Sequence, residues 1–257
     1  MAPPAADGGG PCAITTASAI CHTQPVVTIT NGSDMRAVYW AVPTTASSKS
    51  GRPAVILYQG TGVGPSMTWD VSLAVTTPLG GYYQVAVIAS LIDAGFTVVQ
   101  PEAQNGLAWD TNDGSNYDTS ADAAFIPALL GKLAQGAFGP VDMTHLYATG
   151  ISSGGYMTSR MAVSYPGKFR ALAIESGSYA TCLGPICTIP TPLPSDHPPT
   201  LFLQGGDDPI VPISTAQAYY QDLMAQGIDT RFVEDATAGH QWLSVAPQEV
   251  TRWFTTH

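Results

Sequence analysis

The chain has 257 residues, enough for one sizeable core, yet only 11% of them are charged, against roughly 25% in an average soluble domain. Nine Lys and Arg against nineteen Asp and Glu give a net charge of −10, which argues against nucleic acid and anionic membranes as partners. No apolar run approaches the roughly 20 residues of a membrane span, and with so few charges the surface must be built largely from Thr, Ser, Gln, Asn, Gly and Ala, as suits a protein that meets a neutral substrate.

In chain order, residues 1–11 are rich in Pro, Gly and Ala and read as mobile. They carry no signal-peptide pattern and read as a mature N-terminus behind an added start methionine. Val26 to Thr30 and Arg36 to Val42 read as strands joined at Asn31-Gly32-Ser33-Asp34, a hairpin signal. Ala54 to Tyr58 is a buried strand, Tyr83 to Ala94 a helix stopped by Gly95, and Phe96 to Gln100 another buried strand. A helix over Ala121 to Ala134 precedes a strand over His145 to Thr149. Tyr156 to Tyr165 has Met157, Met161 and Ala162 at helical spacing and stops at Pro166-Gly167. Ala171 to Ile174 is a strand, and 183–199 is a Pro-rich loop. Thr200 to Gln204, Ser214 to Ala225, Thr230 to Val233 and Trp242 to Phe254 then read as strand, helix, strand and helix. Strands alternating with helices predict an α/β fold with a mostly parallel central sheet covered by helices on both faces, in one domain over 1–257.

The four cysteines allow three connectivities, which sequence does not decide between. The local pairings Cys12–Cys21 and Cys182–Cys187 are the expectation. Each closes a short loop and contributes about 2–3 kcal/mol in the chain-entropy model. Two bridges imply an oxidising compartment, hence a secreted protein.

Gly150-Ile151-Ser152-Ser153-Gly154 carries the Gly-x-Ser-x-Gly pattern of a nucleophile elbow, in which a serine sits on a sharp strand-to-helix turn that a side chain at either glycine would obstruct. In a chain this rich in Gly and Ser the pattern alone is weak. Its flanks, a strand before and a helix after, supply the required order. Ser152 is therefore the candidate nucleophile. It needs a base and a carboxylate to orient that base, following it in the order Ser, Asp, His on loops after strands. Leu201 to Gln204 runs into Gly205-Gly206-Asp207-Asp208-Pro209-Ile210-Val211-Pro212, where Asp208 fits the register of an acid loop and Asp207 is the alternative. Of the five histidines, His257 is terminal, His22 and His145 read as structural, and His197 sits in the Pro-rich loop. His240 lies between the last strand and the last helix, where the base belongs. Two backbone N–H groups must hold the oxyanion, and Ser153 and Thr61 in the Tyr58-Gln59-Gly60-Thr61-Gly62 loop are the candidates.

With these residues in place, Gly150 to Ala162, Glu175 to Cys182 and Gly184 to Cys187 resemble secreted medium-chain-length polyhydroxyalkanoate depolymerases. The early Tyr58-Gln59-Gly60 loop and Gln84 to Val87 add to the likeness. The resemblance runs from about residue 36 and implies an α/β-hydrolase fold and a cofactor-free extracellular polyesterase with the triad Ser152, Asp208 and His240. Thr61-Gly62-Val63-Gly64-Pro65 is less bulky than the family's usual segment, so a polyethylene terephthalate hydrolase or cutinase-like esterase is the alternative, and a non-catalytic binding protein of the same fold the alternative of another class.

The Pro-rich stretch is too short for a helical cap, so no large lid domain is expected and the groove should be open. Trp69, Trp109 and Trp242 are the candidates for stacking on substrate. Asp110 to Asp118 has calcium-loop character, but its glycine falls one place early and no Glu closes the register, so no metal is expected. The partners expected are a polyester or small ester, with no nucleic acid or membrane, and the protein is expected to be a monomer.

Overall fold

The computed structural model describes residues 10–45, 47–48, 50–72, 78–111 and 117–257. Its first half runs β1 (Cys12–Ile14), β2 (Ser18–Cys21), β3 (Val27–Asn31), β4 (Asp34–Ala41), β5 (Arg52–Tyr58), β6 (Asp70–Ser72), α1 (Gly81–Asp93), β7 (Thr97–Pro101) and α2 (Ala121–Ala134). The second half runs β8 (Val141–Ile151), α3 (Ser153–Ser164), β9 (Ala171–Glu175), β10 (Thr200–Gly205), α4 (Ile213–Ala225), β11 (Thr230–Asp235) and α5 (Ala246–Thr256). The main sheet has eight strands in the order β11-β10-β9-β8-β5-β7-β4-β3. Six strands from β11 to β7 are parallel neighbours; β4 and β3 extend it as an antiparallel hairpin.

The strands in the middle read as unbroken apolar runs because both faces are covered. In β5 the side chains alternate between two cores: Val55 and Leu57 join α1 and α5, while Ala54, Ile56 and Tyr58 face α2 and α3. A third cluster, around Tyr219, Phe202 and Tyr156, lies between α4, β10 and α3. The C-terminal ends of β5, β8, β9 and β10 thus open onto one edge, where the loops hold the candidate residues.

Three readings need correction. The three-stranded sheet β1-β2-β6 was not expected; its strands are three or four residues long, too short to show a period, and β1 and β2 are tied by the Cys12–Cys21 bridge across directly paired positions. The last helix begins at Ala246 rather than Trp242, because Trp242 is sealed in the core on an irregular segment and Pro247 supplies the helix start. Strand β8 begins at Val141, four residues before the expected start, where half-buried residues hide the pattern.

Cys182–Cys187 is the second bridge, so both local pairings are present. Among the described residues no α-helix or strand lies between β9 and β10, so no lid domain stands there. Of the opening expected to be mobile, residues 1–9 lie outside the described residues, while Pro11 is held by the His22 N–H at 2.7 Å. Of the calcium-like stretch, residues 112–116 lie outside the described residues too.

Candidate active site

Ser152 stands between the end of β8 and the start of α3 with φ 58° and ψ −122°, a left-handed φ for a residue with a side chain. The turn is this sharp because the chain must reverse against the end of β5. A Cβ at Gly150 would lie 2.6 Å from the carbonyl oxygens of Tyr58 and Gly154, and one at Gly154 would lie 2.1 Å from the Tyr58 oxygen. The Ser152 N–H donates to the Glu175 carbonyl at 3.1 Å, and the Ser152 carbonyl accepts from Tyr156 at 3.0 Å, so both sides of the strained residue are pinned.

The acid loop leaves β10. Asp207 is exposed, whereas the Asp208 carboxylate is buried and accepts four hydrogen bonds. Ile210 and Val211 N–H groups reach Oδ1 at 2.8 and 2.9 Å; Gln204 Nε2 and His240 Nδ1 reach Oδ2 at 3.1 and 2.8 Å. Burial works against the charged form, but the bonds from His240, Val211 and Ile210 outweigh it and hold the carboxyl below its usual range. An ionised carboxylate only accepts, so it fixes the proton of His240 on Nδ1. Nε2 makes no hydrogen bond among the described residues and is left to accept a proton; Ser152 Oγ makes none either. The structure thus joins Asp208, and not Asp207, to His240.

The loop after β5 faces the elbow. The Thr61 and Ser153 N–H groups find no acceptor among the described residues. The Thr61 loop is braced from below. The Gln59 side chain donates to the Gly106 carbonyl at 3.1 Å and accepts from the Ala103 N–H at 3.0 Å, and the Gly62 N–H donates to the Leu107 carbonyl at 2.7 Å.

The tryptophans correct the sequence reading. Trp69, Trp109 and Trp242 are all buried and offer no ring face to a substrate. Trp109 is instead a bracket. Its indole N–H donates to the Gln59 carbonyl at 3.1 Å, its backbone N–H donates to Ser153 Oγ at 3.0 Å, and its ring packs edge-on against Tyr58. It holds the Thr61 loop against the elbow. Trp242 donates to Gln84 Oε1 at 3.0 Å within the core, and Trp69 packs in the same cluster. The indole N–H groups of Trp109 and Trp242 are bonded inside and all three rings lie in the core, which is why aromatic residues near the candidate loops were misread as a binding surface.

One buried group escaped sequence reading. Glu175 closes β9 directly beside Ile151, fully buried. Its Oε1 accepts from the Leu243 N–H at 3.1 Å, and Oε2 has no hydrogen-bond partner among the described residues. Burial pushes its carboxyl well above the usual range, and the Leu243 bond opposes this only weakly. An acid ending the apolar run Ala171-Leu172-Ala173-Ile174 was the available signal. Beside it, Ser176 Oγ donates to the Gln241 carbonyl at 3.3 Å, a second tie between this strand end and the histidine loop. Among the described residues no group of three or more His, Cys, Asp or Glu side chains could hold a metal ion.

No protein-family model matches the chain. It is 44% identical over 225 residues to the poly(3-hydroxyoctanoate) depolymerase of Pseudomonas fluorescens, an alignment covering 86% of this chain and 80% of that one. It is 30% identical over 155 residues to acetylxylan esterase A of Aspergillus awamori, covering 56% of this chain and 43%, under half, of the esterase. Among solved structures, a thermostable esterase superposes with TM-score 0.69 at 18% identity, over 90% of this chain and 62% of that one. Esterase PE8 superposes with TM-score 0.58 at 19% identity, over 84% and 96%. The two structures establish the α/β-hydrolase fold; the first relative, alike over most of both chains, establishes that this chain belongs to the poly(3-hydroxyoctanoate) depolymerase family of ester-hydrolysing α/β-hydrolases.

Proposed function

We propose that the protein is a secreted, monomeric serine polyesterase and that its substrate is a medium-chain polyhydroxyalkanoate. Ser152 attacks the ester carbonyl while His240 Nε2 takes its proton. Asp208 keeps the imidazole in the required tautomer and stabilises the imidazolium that forms. The Thr61 and Ser153 N–H groups receive the oxyanion, a contribution worth about 10²–10³ in rate per donor in comparable sites. His240 then protonates the leaving alcohol, and a water activated by the same imidazole clears the acyl-enzyme.

The observation that carries this chemistry is the 2.8 Å bond between His240 Nδ1 and the buried, four-fold hydrogen-bonded Asp208. The choice of polymer rests on the 44% identity to a poly(3-hydroxyoctanoate) depolymerase, and the two disulfides fit an oxidising compartment. The test is product analysis by mass spectrometry after incubation with films of poly(3-hydroxyoctanoate), a short-side-chain polyhydroxyalkanoate and polyethylene terephthalate. Release of hydroxyoctanoate monomers and short oligomers well ahead of the other products is expected. Faster release from the aromatic polyester would move the assignment to that class.

A further inference from the structure

With the tryptophans buried, the question is what meets the polymer. Between Glu175 and Asp207 the only charged residue is Asp196. Within this uncharged stretch the Cys182–Cys187 bridge closes a small hairpin. Leu183 and Ile186 exchange both backbone hydrogen bonds, at 2.7 and 3.0 Å, across the turn Gly184-Pro185. Directly opposed residues of a hairpin project on one face and the next pair on the other. The disulfide pair accordingly faces inward, with Cys182 fully buried, while Leu183 and Ile186 face out at 52% and 74% exposure. Ile210, 56% exposed, adjoins them, because Gly184 lies against it: a Cβ there would come 3.0 Å from the Ile210 carbonyl.

This hairpin is fastened to the proposed catalytic machinery on two sides. The Gly184 N–H donates to Tyr156 Oη at 3.1 Å, and Tyr156 sits in the first turn of α3, behind Ser152. Ile210 is the residue whose N–H holds Asp208 Oδ1 at 2.8 Å. Three large aliphatic side chains therefore form a rigid exposed rim beside the acid loop. Exposed apolar residues scattered singly are ordinary, but three on one stapled platform continuous with a reaction site are not.

We propose that Leu183, Ile186 and Ile210 are the docking rim for the solid surface of a polyester that bears alkyl side chains. The proposal rests on the polyesterase reading above and specifies the surface that reading needs. An uncharged aliphatic rim matches a neutral alkyl surface and gains by apolar burial alone, and the disulfide holds it ready, so little ordering is needed on contact.

Binding is measured with the Ser152→Ala protein on poly(3-hydroxyoctanoate) latex, so that no hydrolysis is needed. Adding Leu183→Ser and Ile186→Ser together should weaken adsorption by about a hundredfold, roughly tenfold for each side chain. Ile186→Leu should retain it. Salt at about 0.5 M should leave wild-type adsorption in place, since no charge pair is screened. In the active protein, the double variant should keep its kcat/KM on p-nitrophenyl butyrate to within about twofold while losing rate on latex, since a short ester does not reach the rim. Unchanged adsorption, or equal losses on latex and soluble ester, would overturn the rim. So would a dimer in sedimentation that the double variant splits without altered adsorption, for the face would then join two copies of the chain. A wild-type protein that adsorbs through the rim but cuts no polyester would overturn the proposed activity and leave the rim standing.

Discussion

Asp208 and Glu175 sit at or just beyond the ends of neighbouring strands, both with buried carboxyl groups, and their charges are driven in opposite directions. Asp208 receives four hydrogen bonds and is held below the usual carboxylate range. Glu175 receives one and is pushed well above it. Burial alone does not decide the charge of an acid; the supply of donors does. The difference has a chemical use. A histidine base needs a single anion to orient its proton, and Asp208 is the carboxylate bonded to His240. Glu175, kept neutral by burial, ties the end of β9 to the histidine loop through the Leu243 N–H.

The reference for this comparison is the nucleophile. Ser152→Ala should lower kcat on p-nitrophenyl esters by about 10⁶, as in triad knockouts elsewhere, with an unchanged thermal melt. Retention of a tenth of the activity would remove Ser152 from the mechanism. Next in size, Asp208→Asn should cost about 10⁴, because the amide favours the wrong imidazole tautomer. Asp207→Asn, at an exposed position, should cost less than about tenfold. The reverse ranking, measured as kcat/KM at saturating buffer, would transfer the orienting role to the neighbour and dissolve the contrast with Glu175.

How much of this was legible in the sequence follows from what each signal depends on. The elbow shows because a local steric demand, the approach of Gly150 and Gly154 to the Tyr58 carbonyl, forces a local motif. The parallel strands show because burial on both faces leaves apolar runs. Helix α2 spans the expected Ala121 to Ala134 because an N-cap serine and an apolar stripe bound it; Ser120 Oγ accepts from Ala123 N–H. Asp208, Asp207 and His240 are read by chain order, but only the fold tells which carboxyl turns inward. The tryptophans were misread because sequence gives their place near the catalytic loops and not the direction of their rings. Glu175 was missed for a related reason: a lone acid at a strand end looks like a solvated residue until the histidine loop is seen closing over it.

His197 sharpens the comparison with a buried base. Its Nδ1 bonds the Pro198 carbonyl at 2.8 Å and its Nε2 bonds Tyr219 Oη at 2.5 Å. Burial lowers its pKa from 6.5 to about 4, against the opposing pull of the Pro198 carbonyl and Asp196. The unfolded chain takes up this proton near pH 6.5 and the native one only near pH 4, so the unfolded state binds more protons in between. Stability should therefore be lost as pH drops from about 6.5 to about 4, by about 3 kcal/mol from this group. Denaturant titrations at pH 7, 5.5 and 4 should show a shallower fall for His197→Gln than for the wild type. Parallel curves would mean that His197 is already charged in the native protein.

Glu175→Gln gives the smallest effect and the sharpest test. Gln retains a carbonyl oxygen for the Leu243 N–H, so kcat/KM should stay within about threefold and its acid limb should not move. Stability should respond in a defined direction. The unfolded chain releases the Glu175 proton through the ordinary carboxyl range, whereas the native protein keeps it to a higher pH. Between those limits the native state binds more protons, so this acid makes the wild type lose stability as pH rises, by up to about 1.4 kcal/mol per pH unit. Gln has no proton to lose. Denaturation curves at pH 5, 6.5 and 8 should therefore show Glu175→Gln gaining on the wild type as pH rises. If the gap stayed constant, Glu175 would be an anion in the native protein. Burial would then not have driven the two carboxyls apart.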